Sequence, residues 1–149
     1  MKANNLPSWQ MNGLDMDEIP IDNPHGFIYK IIYEDGTYYY GKKEFGSYRT
    51  LPQLKSGEPR QGHIRFTYKN GSGKRKYVEE IRKESNWKTY TGSNDIDLPI
   101  SSREVLAFAR SNRELTYLEA KCLFQVEALE DEYCRNQNIL GSFYRDRLI

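Results

Sequence analysis

Glu119 is a carboxylate whose position on a predicted helix could serve chemistry. It lies one helical turn after Leu115 and one turn before Leu123, in a segment whose apolar residues recur at helical spacing. A carboxylate on this apolar stripe loses hydration, so we expect it to have a charged partner or a metal ion. The alternative is that Glu119 lies at the edge of the stripe, in contact with water.

A tyrosine-rich β-hairpin is predicted for Gly26–Lys43. Two runs of aromatic and β-branched residues flank Asp35-Gly36, a dipeptide that tolerates the positive φ of a tight turn. Because side chains alternate along a strand, Tyr29 shares a face with Ile31 and Tyr33. In the simplest alternative these tyrosines only pack the sheet and form hydrogen bonds at its rim.

The remaining elements would support this hairpin. The pattern predicts a strand at Ile64–Lys69, a short amphipathic helix at Lys74–Ser85 and a buried strand at Glu104–Ala109, whose alanines would also suit a helix. A longer helix is predicted from about Asn112 to Glu130, with Ser111-Asn112 as its N-cap.

Length and composition predict one domain. The chain has 149 residues and a mass of 17.6 kDa, which is enough to bury a core without metal or disulfide staples. We expect residues 1–24 to form an N-terminal arm, with Trp9, Leu14 and Met16 as anchors, and residues 25–149 to form a single domain with a basic insertion at about 44–92.

The composition also bounds the location. No apolar run approaches the length of a membrane-spanning helix, and no secretory signal is visible. Cys122 and Cys134 therefore suit reduced thiols in a cytoplasmic protein, and the cysteines and histidines lack the spacing of a structural zinc site. If the chain is encoded by a phage, this location is the cytoplasm of the host cell.

Positive charge is concentrated in one block. Lys42–Gly92 holds thirteen basic and five acidic residues, whereas the whole chain has a net charge of +1. Basic residues interleaved with aromatic ones favour a surface that follows nucleic-acid phosphates, although a solvated lysine-rich face is the alternative. The candidate DNA-binding residues are Lys42, Lys43, Lys74, Arg75, Lys76, Lys88, Gly92 and Ser93.

Gly92 and Ser93 belong to the run Trp87–Asn94. A glycine lets the backbone approach a phosphate closely, and successive amides could form an anion-binding nest here. An ordinary turn at the end of an element is an equally good interpretation.

Together these motifs resemble the GIY-YIG nuclease superfamily, in its phage- or homing-endonuclease-like subgroup. Phe27-Ile28-Tyr29 is followed ten residues later by Tyr39-Tyr40-Gly41, and Leu118-Glu119-Ala120 and Trp87–Asn94 match later parts of the pattern. The resemblance covers Gly26 to about Gly141. It implies a small α+β fold, in which the hairpin and a third strand form a mainly antiparallel three-stranded sheet flanked by helices.

The resemblance also implies a reaction, the hydrolysis of DNA phosphodiester bonds by a divalent-metal-dependent endonuclease that uses Mg²⁺ or Mn²⁺. By analogy with the family, Tyr29 would activate water, Tyr39 would position water or phosphate, and Glu119 would bind the metal. A free phenol titrates near 10, so a tyrosine base at pH 7 costs about 4 kcal/mol unless nearby cations or the metal lower its pKa. Lys42 and Lys43 are expected to do so.

Three further assignments follow from the resemblance. Arg49 would stabilise the transition state and Lys43 would contact phosphate, although Gly46 and Pro52 do not favour the helix that normally carries this arginine. Gly41 and Asn136 would be structural, with Asn138 close enough in register to replace Asn136.

Other classes of protein stay open. The basic segment 42–92 also suits a nucleic-acid-binding module without catalysis, and an aromatic sheet suits a protein-interaction domain. A homodimer is possible, because no separate recognition domain is evident.

Overall fold

A computed structural model describes residues 6–50, 63–68 and 75–148. In chain order, its strands are β1 (Trp9–Met11), β2 (Leu14–Asp15), β3 (Gly26–Tyr33), β4 (Tyr38–Glu44), β5 (Gly46–Thr50), β6 (His63–Tyr68), β7 (Arg75–Glu84), β8 (Ile100–Ala109), β9 (Asn138–Ile139) and β10 (Phe143–Tyr144). The α-helix in these ranges is α1 (Asn112–Gln125), and 3₁₀ turns lie at Trp87–Thr89 and Arg145–Arg147. No helix in the described ranges is long and apolar enough to cross a membrane.

The chain divides into two compact units. The first combines Met1–Phe45 with Asn86–Ile149, and the second is Gly46–Ser85. All contacts discussed below for the candidate site lie within the first unit.

A mixed five-stranded sheet forms the centre of the first unit. Its strand order is β2-β1-β8-β3-β4, with β1 parallel to β8 and the other pairs antiparallel. The fold is α+β as expected, and the trio β8-β3-β4 is antiparallel. The expected number of three strands is wrong, and the expected flanking helices reduce to α1 in the described ranges. Because β1 and β2 have three and two residues, they are too short to show an alternating pattern in the sequence.

The N-terminal residues join this sheet. The Trp9 side chain is 1% exposed, and its Nε1 donates a 2.6 Å hydrogen bond to the Trp87 carbonyl. Met16 packs against the same core. Leu14 is 74% exposed, so the expectation that it anchors the N-terminal segment is wrong.

The predicted hairpin is confirmed. β3 pairs antiparallel with β4, and Tyr29 lies opposite Gly41 while Ile31 lies opposite Tyr39. Gly36 adopts a φ of 87°, and the Asp35 carboxylate accepts a 2.9 Å hydrogen bond from the Thr37 amide, so the turn uses the residues that the sequence indicated.

The strand at 104–109 and the following helix are also confirmed, as β8 and α1. The Ser111 hydroxyl accepts a hydrogen bond from the Glu114 amide, which is the predicted N-cap. The helix ends at Gln125, before the expected limit, and Glu127 follows with a φ of 52°. A left-handed residue cannot continue a right-handed helix, so it accounts for the early end.

Both faces of the sheet are covered. On one face, aromatic and aliphatic side chains form the larger core, which contains Trp9, Phe27, Tyr29, Ile31, Tyr33, Phe45, Trp87 and Val105. On the other face, α1 packs through Leu115 against Ile28 and Ala109, and through Leu123 beside Tyr40. The two faces place Tyr29 and Tyr40 in different cores.

The second unit contains an antiparallel sheet with the order β5-β7-β6. The strand predicted at 64–69 is confirmed as β6. The helix expected at Lys74–Ser85 is wrong, because Arg75–Glu84 forms the central strand β7. Tyr77, Val78 and Ile81 are strand-forming residue types, and pairing with a strand on each side outweighs a weak helical period.

Candidate active site

Tyr29 packs against the backbone of the neighbouring strand. Its side chain is fully buried, and a Cβ atom added at Gly41 would overlap the Tyr29 hydroxyl and lie 3.0 Å from its Cε2. Gly41 has no positive φ, so glycine is needed here for space and not for backbone conformation. The expected structural role of Gly41 therefore has a specific physical basis, since the glycine makes room for the phenol.

Two more tyrosines surround Tyr29. Its ring centroid lies 6.4 Å from that of Tyr39 and 5.9 Å from that of Tyr90. Tyr39 comes from the neighbouring strand, and Tyr90 follows the Trp87–Thr89 turn. The three phenols thus form a cluster that we call the tyrosine cluster. Sequence reasoning did not include Tyr90, although it lies in the run Trp87–Asn94 that was singled out.

Two members of the tyrosine cluster, Tyr29 and Tyr39, have raised pKa values. Burial, followed by the nearby Tyr90 and Tyr39, raises the pKa of Tyr29 well above the usual value for a phenol, and Glu119 raises it further. Burial likewise raises the pKa of Tyr39. In the described part of the chain, the Tyr29 hydroxyl is buried without a hydrogen-bond partner. It is therefore a neutral phenol at pH 7 that makes no hydrogen bond of ordinary geometry, although Tyr90 is close enough to favour its protonated form.

The expectation that Lys42 and Lys43 lower the pKa of Tyr29 is wrong for the protein alone. Lys43 Nζ donates a 2.8 Å hydrogen bond to Asn86 Oδ1 and lies 4.2 Å from the Tyr90 ring centroid. Lys42 Nζ donates a 2.8 Å hydrogen bond to Thr116 Oγ1 on α1. Both lysines are at the site, but their charges act on other groups, and desolvation dominates at Tyr29.

The charge of Glu119 acts on two members of the tyrosine cluster. Glu119 projects from α1, and its negative charge contributes to the raised pKa values of Tyr29 and Tyr39. Burial raises the pKa of Glu119 itself, and Lys42 opposes this shift. The side chain is half-buried, and it makes no hydrogen bond or ion pair to any described residue. This carboxylate therefore lacks the partner that a desolvated charge requires.

The donor set fits a divalent cation held by one protein carboxylate. In the ranges that the structure describes, no group of three or more His, Cys, Asp or Glu side chains could form a closed metal cage. Mg²⁺ commonly keeps several waters and binds through one or two carboxylates together with substrate phosphates. A partly desolvated Glu119 that makes no hydrogen bond or ion pair to a described residue matches that type of site better than it matches structural zinc.

Gly92 and the next two residues border the tyrosine cluster. Gly92 has a φ of 102°, and a Cβ there would lie 3.6 Å from the Tyr29 hydroxyl and 2.9 Å from Asn94 Nδ2. The Ser93 hydroxyl lies 3.3 Å from the Tyr39 hydroxyl. Asn94 contributes to lowering the pKa values of both Tyr33 and Tyr39, which burial raises. The loop thus touches the same phenols as the hairpin.

A buried arginine that sequence reasoning missed supports this loop. Arg103 is 3% exposed, its Nη1 donates to the Tyr90 carbonyl at 2.9 Å, and its Nε donates to the Pro7 carbonyl at 2.8 Å. Its guanidinium lies 4.6 Å from the Trp9 ring centroid, and burial lowers its pKa to about 10. Alternation along β8 gives no sign of this role, because a strand arginine is usually solvent-exposed.

Asn136 binds the second hairpin strand. The residue is 5% exposed, its Oδ1 accepts from the Tyr40 amide at 2.9 Å, and its Nδ2 donates to the Tyr40 carbonyl at 2.8 Å. Asn138 is exposed and accepts a hydrogen bond from the Gly141 amide. These contacts favour Asn136 over Asn138 as the residue that fixes β4 beside the tyrosine cluster.

Among the other expected residues, Lys88 is the one whose side chain the structure describes. Lys88 is exposed and lies with its Nζ 5.7 Å from the Trp87 ring centroid. Arg49 belongs to β5 and Arg75 and Lys76 to β7, but their side chains lie outside the described part of the structure, as does the whole of Lys74.

Comparison with protein families gives one match to this arrangement. The family model described as "Putative endonuclease segE, GIY-YIG domain" matches residues 9–145, which include the hairpin, Tyr90, Glu119 and Asn136. The comparisons with curated proteins and with solved structures give no match.

Proposed function

This chain belongs to the GIY-YIG endonuclease family, of the segE type, and on that premise we propose that it cleaves DNA phosphodiester bonds with the help of one divalent cation. The observation that carries the proposal is the cluster of the Tyr29, Tyr39 and Tyr90 rings, in which Gly41 leaves space for a buried Tyr29 hydroxyl that makes no hydrogen bond of ordinary geometry. Groups left without partners in a folded protein carry a desolvation cost, and a bound substrate or ion would offset it.

Glu119 would hold the cation, Mg²⁺ or Mn²⁺. When bound, the cation would neutralise charge on the phosphate and stabilise the leaving 3′ oxygen. Lys42 reduces the cost of ionising Glu119, because its charge lowers the pKa that burial raises. Lys42 thereby favours the ionised carboxylate that a cation ligand requires.

Tyr29 would act on the attacking water. Its hydroxyl can accept a hydrogen bond from a water or donate one to it, because no described residue uses it. Since burial raises its pKa, the phenol keeps its own proton at neutral pH, and removal of the water's proton by Tyr29 would cost more than the roughly 4 kcal/mol of a free phenol. We therefore propose that Tyr29 orients the attacking water and does not itself remove the water's proton.

Tyr39 would position the phosphate or the water, together with Ser93. The Tyr39 hydroxyl lies at the edge of the buried tyrosines, where Ser93 Oγ is 3.3 Å away. Gly92, whose positive φ suits glycine, would contribute its backbone amide to phosphate binding beside these hydroxyls.

Cationic side chains would stabilise the reacting phosphate. We propose Lys43 and Arg49 for this role, with Arg49 as the transition-state cation, and Lys42, Lys74–Lys76 and Lys88 as contacts to the DNA backbone. Such a protein would act on DNA in the cytoplasm, either as a monomer or as a homodimer.

The proposal is tested by nicking of supercoiled plasmid in Mg²⁺ and in Mn²⁺, with EDTA as the metal-free condition. Glu119→Gln should lower the nicking rate by about 100-fold or more, because it removes the charge but keeps the shape of the cation ligand. Glu132→Gln makes the same chemical change at an exposed position and should nick like the parent. Titration with Mn²⁺, followed by calorimetry, should show binding to the parent and not to Glu119→Gln.

Two results would contradict the proposal. One is the absence of nicking over a range of salt and DNA sequences, and the other is a Glu119→Gln variant that nicks like the parent. The alternative, a nucleic-acid-binding module without catalysis, is favoured by the excess of basic residues in Lys42–Gly92 and by the raised pKa of Tyr29. It predicts salt-sensitive DNA binding that Tyr29→Phe does not change, and no cleavage in any metal.

A further inference from the structure

The side of α1 that faces away from the sheet carries a row of residues suited to packing. Successive helical residues are rotated by about 100°, so residues spaced by four and three positions share a face. The residues at this spacing are Arg113, Tyr117, Ala120 and Phe124. They lie opposite Leu115, which packs against the sheet, and their spacing is that of a seam between two helices. We call this row the α1 stripe.

Exposed aromatic rings lie along the α1 stripe. Tyr117 is 64% exposed and Phe124 is 51% exposed. Phe143, on β10, is 45% exposed and extends this surface, since its ring centroid lies 5.5 Å from that of Phe124. Neighbouring exposed aromatic residues are unusual on a monomer and are enriched where proteins bind one another.

The charges beside the α1 stripe are self-complementary. Glu114 and Lys121 are exposed and flank the stripe on the same side, because they are seven residues apart. When two such helices pack antiparallel about a twofold axis, the same side of each faces the other. Glu114 of one copy then lies opposite Lys121 of the second copy, and this contact occurs twice. A second copy of this chain therefore matches the charge of the surface.

Both charged groups have capacity for such a contact. Glu114 uses Oε1 to accept a hydrogen bond from the Arg110 amide, which leaves Oε2 for a cation. Lys121 makes no ion pair with any residue in the part of the chain that the structure describes. The ion pairs between copies would therefore not replace ion pairs within one copy.

The same antiparallel register also suits the α1 stripe itself. With Glu114 opposite Lys121, Tyr117 of one copy meets Ala120 of the second copy, and Phe124 meets Arg113. A small residue such as alanine lets two helices approach closely, and a guanidinium packs favourably on an aromatic ring.

We propose that α1 forms the interface of a homodimer, in which the α1 stripe packs antiparallel against the same stripe of a second copy. The proposal does not depend on DNA cleavage. Its consequence is a particle that contains two copies of the candidate active site.

Sedimentation equilibrium without DNA, from micromolar to submillimolar protein, tests the interface. The parent should pass from a mass of 17.6 kDa to twice that mass as its concentration rises. Tyr117→Glu should raise the dissociation constant of the dimer at least about tenfold, because it places a charge in the seam. The new glutamate lies one turn from Arg113 and from Lys121, so α1 should stay folded, as circular dichroism would show.

Tyr133→Glu is the matched control, because it makes the same change at a residue that is 57% exposed and lies outside α1. It should dimerise like the parent. A parent that stays monomeric over the whole range, or a dimer that Tyr117→Glu and Tyr133→Glu affect equally, would overturn the proposal.

Charge exchange tests the antiparallel register. Lys121→Glu alone opposes two glutamates in the homodimer, and Glu114→Lys alone opposes two lysines, so each should raise the dissociation constant about threefold or more at low salt. A mixture of the two variants restores both opposite-charge contacts, and it should form a mixed dimer about as tight as the parent. If the mixed dimer is no tighter than the dimers of the separate variants, the register is wrong and the proposal falls. Because DNA is absent, failure of the proposed nuclease function would leave all these outcomes unchanged.

Discussion

Replacing Tyr29 by phenylalanine should stabilise the protein and lower its activity at the same time. The Tyr29 hydroxyl is buried without a partner in the described part of the chain, and a buried unsatisfied polar group costs about 1–3 kcal/mol. Tyr29→Phe removes that cost and keeps the ring packing against Trp9 and Tyr90. After the loss of the few contacts of one oxygen atom, we expect the free energy of unfolding to rise by about 1 kcal/mol, or roughly 2–4 °C in Tm.

The effect on activity should be the opposite. Without the hydroxyl, the water that Tyr29 is proposed to orient loses a hydrogen-bond partner, so we expect the nicking rate to fall at least about tenfold. Tyr33→Phe is the matched control. The Tyr33 hydroxyl is also buried without a partner, on the same face of the same strand, four residues towards the hairpin turn. It should give a comparable gain in stability with nicking close to that of the parent.

Urea unfolding measured by fluorescence, and initial nicking rates in the same Mg²⁺ buffer, provide both numbers for both variants. If Tyr29→Phe lowers the free energy of unfolding by about 1 kcal/mol or more, the hydroxyl has a partner that stabilises the fold, and the physical argument fails. If both variants nick equally well, the Tyr29 hydroxyl has no role in the reaction.

Three further predictions concern stability. Gly41→Ala should lower the free energy of unfolding of the parent by about 1–3 kcal/mol, because the added Cβ overlaps the Tyr29 ring. The same substitution should leave the free energy of unfolding unchanged in a Tyr29→Leu background, and a double-mutant cycle by urea unfolding measures this difference. In the metal-free protein, burial raises the pKa of Glu119 above its usual value of 4.5, so stability should fall as pH rises from 4.5 through the raised pKa of the folded state. Unfolding at a series of pH values should show this fall in the parent and its absence in Glu119→Gln. Arg103→Met should lower the free energy of unfolding by about 1–3 kcal/mol, because two backbone carbonyls lose their hydrogen-bond donor. It should also change the near-ultraviolet circular dichroism, since the Arg103 guanidinium lies against the Trp9 ring. Arg103→Lys should restore at most part of the stability.

Local patterns predicted the hairpin, β8 and α1 because their signals are short-range. The Asp35-Gly36 turn, the alternation around Tyr29 and the N-cap at Ser111 each depend on neighbours within a few residues, and the structure has all three. The Lys74–Ser85 segment shows where such signals fail, since its periodicity is weak and β-sheet pairing decided its conformation.

The strands β1 and β2 could not be predicted from the sequence for a different reason. Strands of two and three residues have no detectable period, and β1 exists because it pairs with the distant β8 and because Trp9 is buried against Trp87. Arg103 is likewise ordinary in the sequence, and its importance comes from carbonyl groups supplied by Pro7 and Tyr90.

By itself, the sequence determined which residue types are candidates for the chemistry, namely the paired tyrosines, the glycine of the second tripeptide and a glutamate on an apolar helical stripe. Only the tertiary structure decided what state those groups are in. It buries Tyr29 so that desolvation raises the pKa of the phenol, although lysines lie close by in the chain, and it adds Tyr90 and Arg103 to the site. Side-chain identity is a local property, whereas burial and electrostatic coupling depend on elements that meet only after folding.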